Sequence, residues 1–208
     1  MARDTRNRML KTTARLLQHR GYHGTSLNDI LEDSGAPRGS LYFHFPGGKD
    51  QLVIEATRLT IDETSEWLQS TLASAADPAQ ATRLYFEAAA TLTVETDYTF
   101  GCPVAPLILD AHAELPEIAA LCRQAFEVWT AMLRDAYARA GAPLQKSNAL
   151  ALLASASLEG GLLMARAYRD PAALNILAAE LEQIVAAEIS SNGTNPSRST
   201  VKHLGGVK

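Results

Sequence analysis

The sequence predicts an all-α protein: an N-terminal helix-turn-helix unit followed by a larger helical domain, about nine helices in all. Apolar residues recur at helical spacing along most of the 208 residues, 47% of which are hydrophobic, and sustained period-two alternation appears nowhere. Pro and Gly punctuate the pattern at Gly21, Gly35, Pro46 to Gly48, Pro78, Gly101 to Pro106, Pro116, Gly141 to Pro143 and Pro171. Short segments crowd the first 48 residues, and long ones fill the remainder.

The first helix, 4–20, is carried by Leu10, Ala14 and Leu17 at i, i+4 and i+7, with Met9, Thr13 and Leu16 alongside. The second, 27–34, opens on a capping box, Ser26 with Asp29 three residues on, and stops at Gly35, which can take the left-handed conformation of a tight turn. Pro37 lacks an N–H to satisfy and so suits the start of the third, 38–45. On a helical wheel Leu41 and Phe45 fall together as an inward pair. Gly39 and Phe43 lie opposite, flanked by Ser40 and Tyr42 and led by Arg38.

The long fourth helix, 49–74, joins the two halves. Later helices are expected at 78–97, 104–113, 116–140, 145–168 and 171–190, each bounded by the Pro and Gly positions above. The expected units are 1–48, 49–190 and a polar tail, 191–208, that has nothing to bury and is expected to be disordered. No repeat of 20 to 50 residues is visible, which argues against a solenoid.

Charge is divided unevenly. Residues 1–58 hold nine basic and six acidic side chains (+3), residues 59–190 hold seven and seventeen (−10), and residues 191–208 hold three and none (+3). The overall −4 conceals a basic end suited to a polyanion. Two cysteines cannot form a disulfide framework, and Met1-Ala2-Arg3-Asp4 leads into a charged helical pattern. The longest uncharged apolar stretch, Ala149 to Leu158, is well short of the roughly 20 residues of a bilayer crossing. A cytoplasmic protein without membrane partners is expected.

The face of the third helix offers a cation, a hydroxyl, a phenol, an exposed ring and a gap. Arginine can bond guanine edges in bidentate fashion, a ring can touch a thymine methyl, and glycine permits close approach, so a DNA major groove suits this set. An ordinary surface helix or a protein-binding patch is the alternative.

The run Thr25, Ile30, Gly35, Gly39, Leu41-Tyr42-Phe43-His44-Phe45, Lys49 and Leu52 resembles the DNA-binding domain of the tetracycline-repressor (TetR) family of bacterial transcriptional regulators. Phe45-Pro46-Gly47-Gly48-Lys49-Asp50-Gln51-Leu52, with Gly101-Cys102-Pro103-Val104 later, is similar to the LmrA/YxaF-like branch. The resemblance implies double-stranded operator DNA as partner, with Thr25, Tyr42, His44 and Lys49 on phosphates and Arg38, Gly39, Ser40 and Phe43 toward bases. Two positions depart from the family. Pro37 stands where many members have a serine or threonine, and the loop from Phe45 to Lys49 is one residue longer than the commonest spacing.

The resemblance further implies a C-terminal domain that binds a small-molecule effector and dimerises through its last two helices, 145–168 and 171–190. Stripes of Ala149, Leu152, Leu153, Ala156 and Gly160, and of Leu174, Leu177, Ala178, Leu181 and Val185, suit an isologous interface. Burial within one subunit is the alternative. Trp67, Tyr85, Phe86, Phe100, Phe126, Trp129 and Met164 could enclose an apolar or aromatic effector, although each also suits a core. Glu159 either neutralises a cationic effector or pairs with Arg166.

The main expectation is thus a homodimeric repressor released from a palindromic operator by an apolar or aromatic effector. A rival is a thiol-based redox sensor, with Cys102 activated at a helix start, although a buried apolar role also fits that residue. Another is a helical enzyme or adaptor on the same fold. No nucleophile and base pair or phosphate loop appears, so no enzyme is expected. His19 and His23 are separated by Gly21 and complete no metal set, and no metal or cofactor is expected.

Overall fold

The computed structural model describes residues 2–99, 101–110 and 115–193. Among them are nine helices and no strand: α1 (Ala2–Arg20), α2 (Leu27–Ser34), α3 (Arg38–His44), α4 (Gly48–Ser74), α5 (Pro78–Glu95), α6 (Ala105–Asp110), α7 (Pro116–Arg139), α8 (Leu144–Tyr168) and α9 (Ala172–Gly193). The chain is all-α, as expected. Helix α9 runs on to Gly193, so residues 191–193 continue a helix where a polar tail was expected; the rest of that tail lies outside the described residues.

Local chemistry sets the N-terminal turns. Ser26 Oγ accepts the Asp29 N–H at 3.1 Å, and Asp29 Oδ2 accepts the Ser26 N–H at 2.9 Å, which satisfies two free donors at the start of α2. Hydrogen bonding from Ser26 holds the Asp29 carboxyl below the usual carboxylate range. Gly35 closes α2 at φ 62°, where its N–H and that of Ala36 reach back to Glu32 and Leu31. Leu41 and Phe45 then enter a core with Met9, Leu16, Leu17, Ile30 and Leu52. Burying a side chain such as Phe45 contributes about 1.5–3 kcal/mol.

Helix α1 packs on α2, α3, α4 and α6. In the C-terminal part α5 lies along α9, α7 along α8, and α4 reaches from the first helices to α5 and α7. The α9 stripe of Leu174, Ala178, Leu181 and Val185 is buried inside the protomer. This corrects its expected place in a dimer interface: α5 and α8 already cover it. The α8 stripe of Ala149, Leu152, Leu153, Ala156 and Gly160 is exposed, with Leu152 at 64%. By length and composition α8 could cross a membrane. Its buried side, Leu150, Ala151, Ala154, Leu158 and Leu162, belongs to the core, and its outward leucines supply the surplus hydropathy.

Candidate nucleic-acid interface and ligand cavity

Helix α3 presents the residues that its wheel sets outward. Phe43 is 77% exposed and Tyr42 56%, while Leu41 and Phe45 are buried. A methyl built on Gly39 would meet nothing within 4 Å, so nothing in the protomer itself demands a glycine there. Arg38 is exposed and donates to Asn28 Oδ1, which holds its guanidinium over the start of α2. Ser40 is half-buried on the first turn, and the half-buried His44 ring packs edge-on against Phe43 with centroids 4.9 Å apart.

Two residues assigned to phosphates sit differently. Thr25 is fully buried, and its Oγ1 donates to the Gly21 carbonyl at 2.8 Å. This corrects the expected contact, because that hydroxyl is consumed in closing the α1–α2 turn. Lys49 bends inward: its Nζ donates to the Tyr22 carbonyl at 2.8 Å and lies 3.8 Å from the Tyr22 ring centroid. Partial burial lowers its pKa. To hold a phosphate it must leave that carbonyl.

In the C-terminal part a cavity of about 260 Å³ is bounded by α1, α4, α5, α7, α8 and the segment before α6. Trp67, Tyr85, Phe126, Trp129 and Glu159 are among the residues that line it. Trp67 and Tyr85 pack at 4.9 Å between centroids, and Phe126 meets Trp129 edge-on at 5.9 Å. The indole N–H of Trp129 donates to Ser65 Oγ at 2.9 Å, so the ring is fixed and its polar atom satisfied.

Phe86 and Met164 are corrections. Phe86 follows Tyr85 by one helical step and points into the closed core with no exposure, whereas Met164 is 44% exposed, off the Ser155, Leu158, Glu159, Leu162 stripe that faces the cavity. Phe100 lies outside the described residues.

Glu159 forms no ion pair with Arg166 or any other described residue, so that alternative is set aside. Burial raises its pKa, partly opposed by a hydrogen bond from the Cys102 thiol. Cys102 is buried three residues before α6, and its pKa is driven far up by burial and then by the charge of Glu159. Backbone N–H groups of Val104 and Ala105 pull the other way, as the helix-start argument foresaw, but with less weight. Cys102 is thus no activated thiol, which corrects the basis of the redox reading.

Sequence reasoning missed Gln18 and Asp110. Gln18, at the end of α1, lines the cavity and donates from Nε2 to the Gly101 carbonyl. Asp110 binds the turn after α1. A carboxylate in the last turn of a helix opposes the helix dipole, and that was the one local sign that Asp110 had a partner elsewhere.

Family models match both parts of the chain: "Bacterial regulatory proteins, tetR family" over residues 9–56, and "Transcriptional regulator LmrA/YxaF-like, C-terminal domain" over residues 78–180. The HTH-type transcriptional regulator YxaF of Bacillus subtilis is 31% identical over 182 residues, which cover 88% of this chain and 95% of YxaF. The chain belongs to the TetR family. LmrA of Bacillus subtilis, another HTH-type transcriptional regulator, is 32% identical over 165 residues, covering 77% of this chain and 86% of LmrA. A TetR-family regulator from Agrobacterium tumefaciens shares the fold with a TM-score of 0.78 at 20% identity, over 88% of this chain and 98% of that one. This TetR-family member is therefore a DNA-binding transcriptional regulator with a helix-turn-helix domain, and not an enzyme.

Proposed function

We propose that this regulator is a homodimeric repressor that holds a palindromic operator in the cytoplasm through two copies of α3 and releases it when a small apolar or aromatic effector fills the cavity. The observation that carries the reading is the course of α4. It begins at Gly48 and Lys49 beside the α3 face, and further along the same helix supplies Trp67 and Leu68 to the cavity wall. One rigid element thus touches both places. A ligand that shifts α4 changes the separation of the two α3 helices, which must match a helical turn of DNA, about 34–36 Å, or a multiple of it.

The exposed α8 stripe, with Ile176 and Ile184 on the outer side of α9, is the surface offered to a second protomer. The DNA-binding unit is taken as residues 1–48 and the effector and dimerisation unit as residues 49–190. Gly39, Ser40, Phe43 and Arg38 are assigned to bases, and Tyr42, His44 and a released Lys49 to phosphates.

The test is a titration of the chain onto DNA from upstream of its own gene, with and without compounds selected by thermal shift. Binding of two chains per site that falls as salt rises, and weakens with a stabilising compound, is the expected result. Salt-insensitive binding, or compounds that stabilise the protein without moving operator affinity, would overturn it.

A further inference from the structure

The ligand cavity is electrically one-sided. Glu159 of α8 and Glu63 of α4 are among its lining residues, whereas no lysine, arginine or histidine is. Glu63 is exposed at the rim, and Glu159 is half-buried in the wall. Glu159 also lines the neighbouring cavity, where His19, Arg20 and Arg166 stand, but it forms no ion pair with any of them. Arg166 is two helical turns, or about 10 Å, further along α8.

A carboxylate in such a place is costly. Burial already raises the Glu159 pKa, and the thiol of Cys102 is a weak donor that offsets little of the loss of water. Around it stand Trp67, Tyr85, Phe126 and Trp129, whose ring faces are negative and attract cations. Because the Trp129 N–H is already bonded to Ser65, that ring meets a ligand with its face and edge instead of a free donor. Acid and rings therefore favour the same sign of charge, and both disfavour an anion.

We propose that the effector is an organic cation, an aromatic ring system bearing a quaternary or protonated nitrogen, with its charge held by Glu159 and its rings by the four aromatic side chains. This rests on the effector-gated reading above and adds the charge of the ligand to it. Glu63 at the rim attracts the cation on approach, and Glu159 is its partner once bound.

The two tryptophans of the chain, Trp67 and Trp129, both line the cavity, so intrinsic fluorescence reports its occupancy directly. The probes are N-methylquinolinium and α-methylnaphthalene, which share one shape and differ by a charged nitrogen in place of carbon. Each is titrated into the full-length protein and into Glu159→Gln, with fluorescence and displacement of the upstream operator fragment as readouts. The cation is expected to bind wild type at least about tenfold more tightly than its neutral isostere, and Glu159→Gln to erase that preference by weakening the cation alone.

Equal or tighter binding of the neutral compound by wild type, or a cation unaffected by Glu159→Gln, would overturn the proposal. If the neutral compound fills the cavity and releases operator while the cation does neither, only the charge assignment falls. If neither compound quenches the tryptophans or moves the operator, the effector reading falls with it. The wild-type comparison decides the matter even if Glu159→Gln fails to fold.

Discussion

Asp110 Oδ2 accepts the backbone N–H of His23 at 3.1 Å, and Asp110 Oδ1 lies 3.4 Å from His23 Nε2. The bond ties the end of α6 to the turn between α1 and α2, next to the Tyr22 carbonyl that holds Lys49. The segment just before α6, Gly101 to Pro103, lines the cavity, so the bond offers a candidate connection from the cavity to the DNA-binding helices besides α4. Asp110→Ala should keep most effector affinity while reducing the factor by which effector weakens operator binding. Because linkage is reciprocal, the same reduced factor should appear when operator is tested against effector binding. An unchanged factor would leave α4 as the sole route.

Gly39→Ala should separate folding from DNA binding. The added methyl meets nothing in the protomer, and alanine is favoured over glycine in a helix by up to about 1 kcal/mol. Thermal stability should hold or rise while operator affinity falls, because in the proposed interface the methyl would stand between α3 and the DNA. Full operator affinity in this variant would remove Gly39 from the interface.

Arg38→Ala should cost about 1–3 kcal/mol of discrimination between operator and random DNA if the guanidinium leaves Asn28 for a guanine edge. Lys49→Ala should weaken both DNAs alike and lower the salt slope by about 1. It should also reduce stability modestly, since the ammonium is held by the Tyr22 carbonyl and ring. Salt titrations on the two DNAs measure both effects, and identical behaviour of the two variants would sink the assigned roles.

Neighbouring glycines in α8 should give opposite outcomes. A methyl on Gly160 meets nothing within 4 Å, whereas on Gly161 it would lie 2.7 Å from Leu174 Cδ2. Gly160→Leu should therefore leave the protomer folded and weaken the dimer in sedimentation equilibrium. Gly161→Ala should lower thermal stability, because the fully buried Leu174 side chain must shift to admit the methyl. Leu181→Asp belongs with the second class, its side chain being 2% exposed in the core.

Glu159 should shape the pH dependence of stability. Its pKa is raised in the folded protein, chiefly by burial, so its favourable contribution is complete below the unfolded carboxylate pKa and is lost as pH rises through the folded value. Glu159→Gln should be relatively more stable near neutrality and lack that slope in denaturant titrations at several pH values. The Cys102 thiol, which donates to Glu159, and the Tyr85 phenol are both pushed up by burial, away from the carboxylate range. A parallel slope in both proteins would assign the titration elsewhere.

The parts of this architecture that were legible in the sequence are those set by local chemistry. Ser26, Asp29 and Gly35 fix the ends of α2 within a few residues of chain, and the wheel of α3 separates Leu41 and Phe45 from Gly39 and Phe43 without tertiary information. Periodicity does not say who covers an apolar face. The stripes of α8 and α9 look alike in sequence, yet α5 and α8 cover Leu181 and Val185 while Leu152 faces outward. Nor does it give the rotation of a helix about its axis, which sends Tyr85 to the cavity and Phe86 to the core. The contacts of Gln18 and Asp110 cross more than 80 residues of chain and leave almost no mark on their neighbours.

The bare leucines of α8 carry a consequence for how the regulator would be metered. In the proposed dimer a single chain is an incomplete binder, so at low abundance operator occupancy rises with the square of chain concentration instead of in proportion to it. A modest change in synthesis or degradation would then shift repression steeply. The number of copies per cell would become a second input alongside the effector, written into the fold by side chains that touch neither DNA nor ligand.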